Sequence, residues 1–288
     1  MSEDDPGVTG AERSLRIGRR KDGGPSISWQ GGLVRQLLPR DDPAGSSDQG
    51  EDPFAVYRSE RQGPSGRPWI LGNMVSGIDG SAAVGGRVGG LSSLRDRELF
   101  VLLRSLADAV LIGAATVRTE GYGPVRMPPA LTEQRMAGGR SPTPPLVIVT
   151  RSLTLDWDSP LFSTDAQVRP VIVTVSAVAD VAMAKARDRA DVVIAGDESV
   201  DLRRAAVELG RRGMSTLLTE GGPTLLGELM ARDLLDEFCL TLAPLAGGDP
   251  LPIAIRPHGP GDLRGFSLAS VLEEDGHLFL RYLDASAR

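Results

Sequence analysis

The 288-residue sequence predicts an α/β fold in which a mainly parallel sheet is flanked by helices. Short apolar runs alternate with longer amphipathic runs, which is the order expected when helices cover both faces of a parallel sheet. The last strand-like runs follow one another without a helix, so the sheet should end in antiparallel strands. The length suits one domain of roughly 200 to 250 residues plus a tail.

Residues 1–66 are rich in Pro, Gly, Ser and Asp and show little hydrophobic periodicity. Such a composition buries too little apolar area to offset chain entropy. We therefore expect a largely disordered N-terminal arm, followed by a single domain over residues 67–288. Two short apolar pieces of the arm, 33–38 and 54–57, are candidates for docking on this domain.

Strand-like and helix-like runs alternate from residue 67 onward. The strands are predicted at 69–75, 109–112, 146–150, 171–175, 192–195 and 215–218. The helices are predicted at 94–106, 177–189, 201–212 and 224–231. Three consecutive strands at 237–243, 267–272 and 277–283 end the domain, and residues 274–276 form a tight connection between the last two.

The composition excludes several classes of function. A formal net charge of −6 provides no general basic field for nucleic acid, so a small-molecule partner is expected. No run of about 18 apolar residues occurs, and the N-terminus is acidic and Gly-rich. These features predict a cytoplasmic protein without a membrane partner.

Nucleophiles and metal ligands are scarce. The one cysteine, Cys239, lies in an apolar run and is expected to be a small buried hydrophobe. Together with the two histidines, His258 and His277, it cannot assemble a zinc site, so no metal is expected. The only lysines, Lys21 and Lys185, lie in a low-complexity tail and a polar helix, which argues against Schiff-base and Walker-type chemistry.

The sequence Thr219-Glu220-Gly221-Gly222-Pro223-Thr224 places two glycines where a strand becomes a helix. Glycines let a ligand approach bare backbone, and the helix start that follows favours a phosphate. A tight turn can also require glycine without any ligand. However, Gly, hydroxyl or charged groups also follow three other strands, at 76–92, 113–120 and 151–152. Because ligands bind beyond the carboxyl ends of strands in open α/β sheets, the combination predicts a nucleotide site.

Several of these segments together resemble a known family. The segments are 73–80 (NMVSGIDG), 113–124 (GAATVRTEGYGP), the Glu220-Gly221-Gly222 turn, and Asp236-Glu237 followed by 243–248. They resemble the reductase domain of bacterial riboflavin biosynthesis, which has a dihydrofolate-reductase-like fold, and most closely its stand-alone actinobacterial pyrimidine reductase branch. The resemblance covers roughly residues 34–283.

The resemblance implies a reaction. NADPH would reduce the ribosylamino side chain of a pyrimidine phosphate, 5-amino-6-(5-phosphoribosylamino)uracil, to the ribitylamino form, with the hydride passing to the sugar C1′ carbon. It also implies a homodimer, for which the C-terminal strands would form the interface. The deaminase half of the bifunctional enzymes, with its His and Cys zinc ligands, is missing, so deaminase activity is not expected.

The resemblance also implies a cofactor site. Residues that would line the nicotinamide and its ribose are Ser76, Gly90, Thr116 and Glu120. Residues that would hold the pyrophosphate at the helix N-terminus are Gly221, Gly222, Pro223 and Thr224. Arg151 and Ser152 are candidates for the adenosine 2′-phosphate, because an arginine there favours NADPH over NADH. The alternative is that Arg151 is a solvated loop residue.

Asp79 and Glu220 are the expected catalytic residues, and both are expected to contact the substrate. Glu220 could help to move a proton if the site desolvates it. Arg104 and Arg126 are candidates for the substrate phosphate. Asp79 could instead be a turn-forming residue before glycine, and Arg104 could be a solvated helix residue. Asp236 and Glu237 are assigned to structure or subunit contact.

The chain departs from the family pattern at three positions. Asn73 stands where the bifunctional enzymes usually have Lys, Gly77 replaces the common Ser, and Glu120 replaces the usual Asp. The loss of a cation at residue 73 keeps a second substrate class open, a pteridine or folate-like heterocycle or another carbonyl or imine. A third hypothesis is a non-catalytic dinucleotide-binding protein.

Overall fold

A computed structural model describes the backbone of residues 16–19 and 25–28 and the whole of residues 34–38, 52–163, 168–256 and 263–285. The strands are β1 (Arg16–Arg19), β2 (Pro25–Ser28), β3 (Arg35–Leu38), β4 (Trp69–Gly77), β5 (Ala109–Gly113), β6 (Leu146–Val149), β7 (Val171–Thr174), β8 (Asp191–Ile194), β9 (Thr216–Thr219), β10 (Glu237–Ala243), β11 (Phe266–Glu274) and β12 (His277–Asp284). The helices are α1 (Leu94–Leu106), α2 (Ala114–Glu120), α3 (Pro129–Ala137), α4 (Asp180–Arg189), α5 (Leu202–Arg211) and α6 (Pro223–Ala231).

A ten-stranded sheet organises the protein, in the order β3-β11-β12-β10-β4-β9-β5-β6-β7-β8. All pairs from β10 to β8 are parallel, whereas β12, β11 and β3 join by antiparallel pairing. Strands β1 and β2 form a separate antiparallel pair. The predicted fold class, a mainly parallel sheet with antiparallel C-terminal strands, is therefore confirmed.

Most predicted elements form within a few residues of their expected bounds, and α1 and β10 coincide with them. The sequence does not predict β1, β2, β3, α2 or α3: the first three lie in the arm expected to be largely disordered, and residues 113–120, which contain α2, are expected to form a strand-end loop. Helix α2 has only seven residues and begins after Gly113 without a side-chain cap. A helix this short, without a capping signal, is hard to recognise from the sequence.

The sheet is covered by apolar side chains on both faces. One face packs against α1, where Leu99, Leu102 and Leu103 are fully buried. The other packs against α5 and α6 through residues such as Leu209 and Leu226. Cys239 lies buried on the α1 face beside Asn73, as expected for a small hydrophobe, and burial raises the pKa of its thiol. No helix in the described part of the chain is long and apolar enough to cross a membrane.

Part of the N-terminal arm packs on the sheet. Strand β3 pairs with β11, and Phe54 and Tyr57 are fully buried, with the Phe54 ring 6.0 Å from that of Phe279. The sequence boundary near residue 67 leaves this segment outside the domain, although two of its side chains belong to the core. Most of the segment predicted to be disordered, and Leu33 in the first docking piece, lie outside the described residues.

Candidate active site

The ends of three neighbouring strands and the turns that follow them meet at one edge of the sheet. Strand β9 lies between β4 and β5, so the glycine turn after β9 adjoins both. The Glu220 N–H donates to the Leu111 carbonyl (3.2 Å), and the Gly113 N–H donates to the Gly221 carbonyl (2.9 Å). This is the edge at which ligands bind in open α/β sheets.

A cavity of about 210 Å³ opens at this edge. Its polar lining consists of Asn73, Ser92, Asp96, Arg97, Tyr122 and Glu220, and the remaining lining is apolar or glycine. Glu220, which directly precedes the glycine turn, thus lines the same cavity as Asn73, one of the positions at which the chain departs from the family pattern.

Glu220 is buried and is held from two sides. The Arg104 guanidinium donates through Nε to Oε1 (2.6 Å) and through Nη2 to Oε2 (2.8 Å), while the Tyr122 hydroxyl donates to Oε2 (2.8 Å). Arg104 also lies 4.0 Å from the centre of the Phe100 ring. A bidentate, charge-assisted pair fixes the position of the carboxylate. Burial, followed by the charge of Glu220, raises the pKa of Tyr122, so its hydroxyl stays a donor.

The arginines proposed for the substrate phosphate occupy different settings. Arg104 is engaged by Glu220, and Arg126 is exposed and does not line the cavity. Arg97, which sequence reasoning missed, is exposed and does line it. The signal that could have found it is spacing, because Arg97, Phe100 and Arg104 recur at three- and four-residue intervals along one face of α1.

Asp79 holds two loops together. One carboxylate oxygen accepts from the Ser81 hydroxyl (2.6 Å) and the Ser81 N–H (3.1 Å), and the other accepts from the Gly247 N–H (2.6 Å). These hydrogen bonds, that of the Ser81 hydroxyl first, lower the pKa of Asp79 to about 2. Asp79 is exposed and does not line the cavity. Its direct contact with a substrate stays a prediction.

The glycine turn has the backbone that a phosphate site requires. Gly221 has a φ of +81°, and a Cβ added to Gly222 would lie 2.4 Å from Thr116 Oγ1. Gly222 is the N-cap of α6, and no side chain caps this helix start. Uncapped N–H groups at the start of a nine-residue helix can donate hydrogen bonds to a phosphate. The glycine turn and the start of α6 therefore fit a dinucleotide pyrophosphate.

The other residues expected at the cofactor lie on β4, in the loop before α1, on α2 and after β6. Ser76 is buried, and its hydroxyl donates to the Gly77 carbonyl (2.8 Å). Gly90 is exposed, and Glu120 ends α2. Arg151 and Ser152 are exposed after β6, the strand next to β5. Their contacts with a cofactor stay predictions.

Comparison with known proteins places the chain in a family. Residues 68–264 match the family model described as the RibD C-terminal domain. The chain belongs to the RibD C-terminal domain family. This confirms the resemblance found in the sequence.

Relatives of this RibD C-terminal domain include two named 2,5-diamino-6-ribosylamino-4(3H)-pyrimidinone 5′-phosphate reductase. The one from Archaeoglobus fulgidus is 27% identical over 189 residues, covering 65% of this chain and 85% of the relative. The one from Aquifex aeolicus is 29% identical over 200 residues, covering 67% and 84%. Among solved structures, a pyrimidine reductase-like protein from Corynebacterium diphtheriae has a TM-score of 0.69 and 28% identity, covering 75% of this chain and 92% of that one.

Asn73, which lines the cavity of this RibD C-terminal domain, has a buried polar atom without a hydrogen-bond partner among the described residues. Its side chain is only 8% exposed, and Oδ1 has no hydrogen-bond partner within the described structure. A buried polar atom without a partner is costly and uncommon, and it points to a group that completes the site. Sequence reasoning singled out Asn73 only as a departure from the family pattern.

Proposed function

We propose that this protein is an NADPH-dependent reductase that converts the ribosylamino side chain of a phosphorylated aminopyrimidine to the ribitylamino form. The observation that carries the proposal is the buried carboxylate of Glu220, which lines a cavity and directly precedes a glycine turn suited to a dinucleotide. The names of the relatives support the pyrimidine over a pteridine or folate-like substrate.

The chemistry requires a proton to move twice. NADPH, when bound, supplies the hydride that C1′ accepts. Before that, the bond between C1′ and the ring oxygen breaks, the exocyclic nitrogen loses its proton, and the ring oxygen gains one. After reduction the nitrogen takes up a proton again. We assign this proton transfer to Glu220, whose position is fixed by Arg104 and Tyr122.

The remaining roles follow from the surroundings of each residue. Arg97 lines the cavity with its charge exposed, so we assign it to the substrate phosphate, with Arg126 as a second contact. Asp79 is proposed to act through the loop that it holds to residue 247. A homodimer and a cytoplasmic location stay predictions.

The proposed function is tested by following NADPH oxidation by the purified protein. The pyrimidine phosphates and dihydrofolate are offered separately, and NADH replaces NADPH as a control. Turnover of a phosphoribosylaminopyrimidine with NADPH is the expected result. Turnover of dihydrofolate alone, or NADPH binding without any turnover, would contradict the proposal.

Replacing Gly222 by Ala should weaken NADPH binding roughly tenfold, equivalent to about 1.4 kcal/mol. The added Cβ would meet Thr116 Oγ1 at 2.4 Å, so the turn or Thr116 must move. Titration of protein fluorescence with NADPH measures the Kd. Gly123→Ala is the control, because a Cβ there meets nothing within 4 Å. Equal Kd values for the two variants would show that the turn does not hold the cofactor.

Replacing Arg151 by Ala should raise the Kd for NADPH roughly 10- to 100-fold, because a charge-assisted hydrogen bond to a phosphate contributes about 1.5–3 kcal/mol. The Kd for NADH should stay unchanged, since NADH lacks the 2′-phosphate. Arg187→Ala, which removes an exposed arginine from α4, controls for net charge. A parallel loss of affinity for both cofactors would remove Arg151 from the 2′-phosphate site.

A further inference from the structure

The two pyrimidine phosphates considered for this site differ in the group at C2 and in the proton that the uracil carries on N1. The uracil carries a carbonyl acceptor at C2, beside the N3–H donor. The 2,5-diamino pyrimidinone carries an amino group at C2, so that two donors, N3–H and the amino N–H, lie side by side. A carboxylate can accept both of these hydrogen bonds in parallel, whereas a carbonyl at C2 would face it as a second acceptor.

Asp96 offers such a carboxylate. It lies in the first turn of α1, is only 6% exposed and lines the cavity. Its backbone N–H donates to the Ser93 Oγ (3.1 Å), which fixes the helix start, and the Ser92 hydroxyl donates to its Oδ2. Oδ1 receives no hydrogen bond from any residue that the structure describes. The carboxylate is therefore oriented by one donor and retains acceptor capacity.

Acceptors predominate among the other groups of the cavity that lie deep in the protein. Asn73 contributes the buried, unpartnered Oδ1, whereas both oxygens of Glu220 already accept from Arg104 or Tyr122. The charge of Arg104 is taken up by Glu220, and Arg97 is exposed. Acceptors on the cavity wall select a ligand that presents donors, and the diamino pyrimidinone presents two N–H bonds at C2 where the uracil presents a carbonyl.

We propose that Asp96 determines specificity by binding the N3–H and 2-amino edge of the pyrimidine, so that the enzyme reduces the 2-amino compound in preference to the 2-oxo compound. This rests on the proposed function and replaces the uracil as its substrate. The order of reactions follows from it. The hydrolytic deamination at C2 acts on the ribitylamino product rather than on the substrate.

The test compares kcat/KM for the two pyrimidine phosphates with NADPH, in the wild type and in Asp96→Asn. The wild type should prefer the 2-amino compound by roughly 100-fold or more, because a site built for a donor rejects an analogue that lacks it. Asp96→Asn should lose most of that preference, through a fall for the 2-amino compound and no fall for the 2-oxo compound. Asp180→Asn is the matched control, since Asp180 is exposed in the first turn of α4.

A second measurement does not depend on turnover. The fragments 2,6-diaminopyrimidin-4(3H)-one and 6-aminouracil are compared as competitive inhibitors, and the diamino fragment should bind more tightly only when Asp96 is present. Ser92→Ala keeps the charge of Asp96 but removes its orienting donor, and it should reduce the preference in part. This variant tests the proposal even if Asp96→Asn does not fold.

The outcomes distinguish failure of this inference from failure of the proposed function on which it rests. A wild type that prefers the 2-oxo compound, or an equal loss for both compounds in Asp96→Asn, overturns the role of Asp96 and leaves the reductase intact. Failure of the wild type to turn over either pyrimidine overturns the proposed function itself. A preference for the 2-amino compound that disappears in Asp96→Asn and persists in Asp180→Asn supports the inference.

Discussion

Replacing Glu220 by Gln is expected to lower kcat by roughly 10²- to 10⁴-fold, the range for loss of a general acid–base group. Glutamine keeps the shape of the side chain but cannot take up and return a proton. The Kd for NADPH should stay unchanged, because Glu220 lines the cavity, whereas the proposed cofactor site is the glycine turn at the start of α6. Single-turnover NADPH oxidation and a binding titration measure the two quantities.

The same change leaves the buried Arg104 without a counter-charge, which costs about 3–5 kcal/mol of stability. The double variant Arg104→Met/Glu220→Gln removes both charges and should regain most of that stability. It should not regain turnover. If turnover returned with stability, Glu220 would be a structural partner of Arg104 and not the proton-transfer group. Glu133→Gln, on the exposed face of α3, controls for loss of one carboxylate.

Replacing Glu237 by Gln is expected to lower the free energy of unfolding by about 3–5 kcal/mol. Its side chain is fully buried and accepts from Arg61 Nε (2.8 Å) and Arg281 Nε (2.7 Å). It also accepts from Trp69 Nε1 (3.1 Å), so the carboxylate ties residues before 67 to the centre of the sheet. Gln would leave two buried guanidinium groups without a negative charge. Urea denaturation measures the loss.

The effect of Glu237 should depend on pH. Burial opposes its ionisation, but the hydrogen bonds and charges of Arg61 and Arg281 outweigh burial, so its pKa lies below the ordinary 4.5. A carboxyl whose pKa is lower in the folded state than in the unfolded state stabilises the fold at pH values above the unfolded-state pKa. This stabilisation is lost as the pH falls through the folded-state pKa. The difference between wild type and Glu237→Gln should therefore narrow below about pH 4.5.

An exposed ion pair provides the control for Glu237. Glu273 pairs with Arg35, whose side chain is 63% exposed, and such pairs contribute about 0–1 kcal/mol. Glu273→Gln should therefore change stability little. If Glu237→Gln cost no more than Glu273→Gln, the buried network would not anchor the arm.

Local signals account for the parts of the fold that could be predicted. Helix α1 formed where Leu spacing marks an apolar face and Ser93 caps the first turn. The glycine turn was recognised because a strand, two glycines and a helix follow one another along the chain. In contrast, Phe54 and Tyr57 stand in a polar, proline-rich context, and only packing against β12 makes them core residues. Docking of residues 54–57 is predicted from their apolar side chains, but the partner, Phe279 of β12, is distant in the chain and is identified only by the structure.

The sequence by itself determined the order of strands and helices, the antiparallel ending and the turn at residues 221 and 222. These depend on neighbouring residues, whose periodicity and turn chemistry are local. Only the tertiary structure decided that Arg104 pairs with Glu220, 116 residues away, and that Asp96 and Asn73 line one cavity. The reason is strand order: β9 inserts between β4 and β5, and no local pattern encodes that placement.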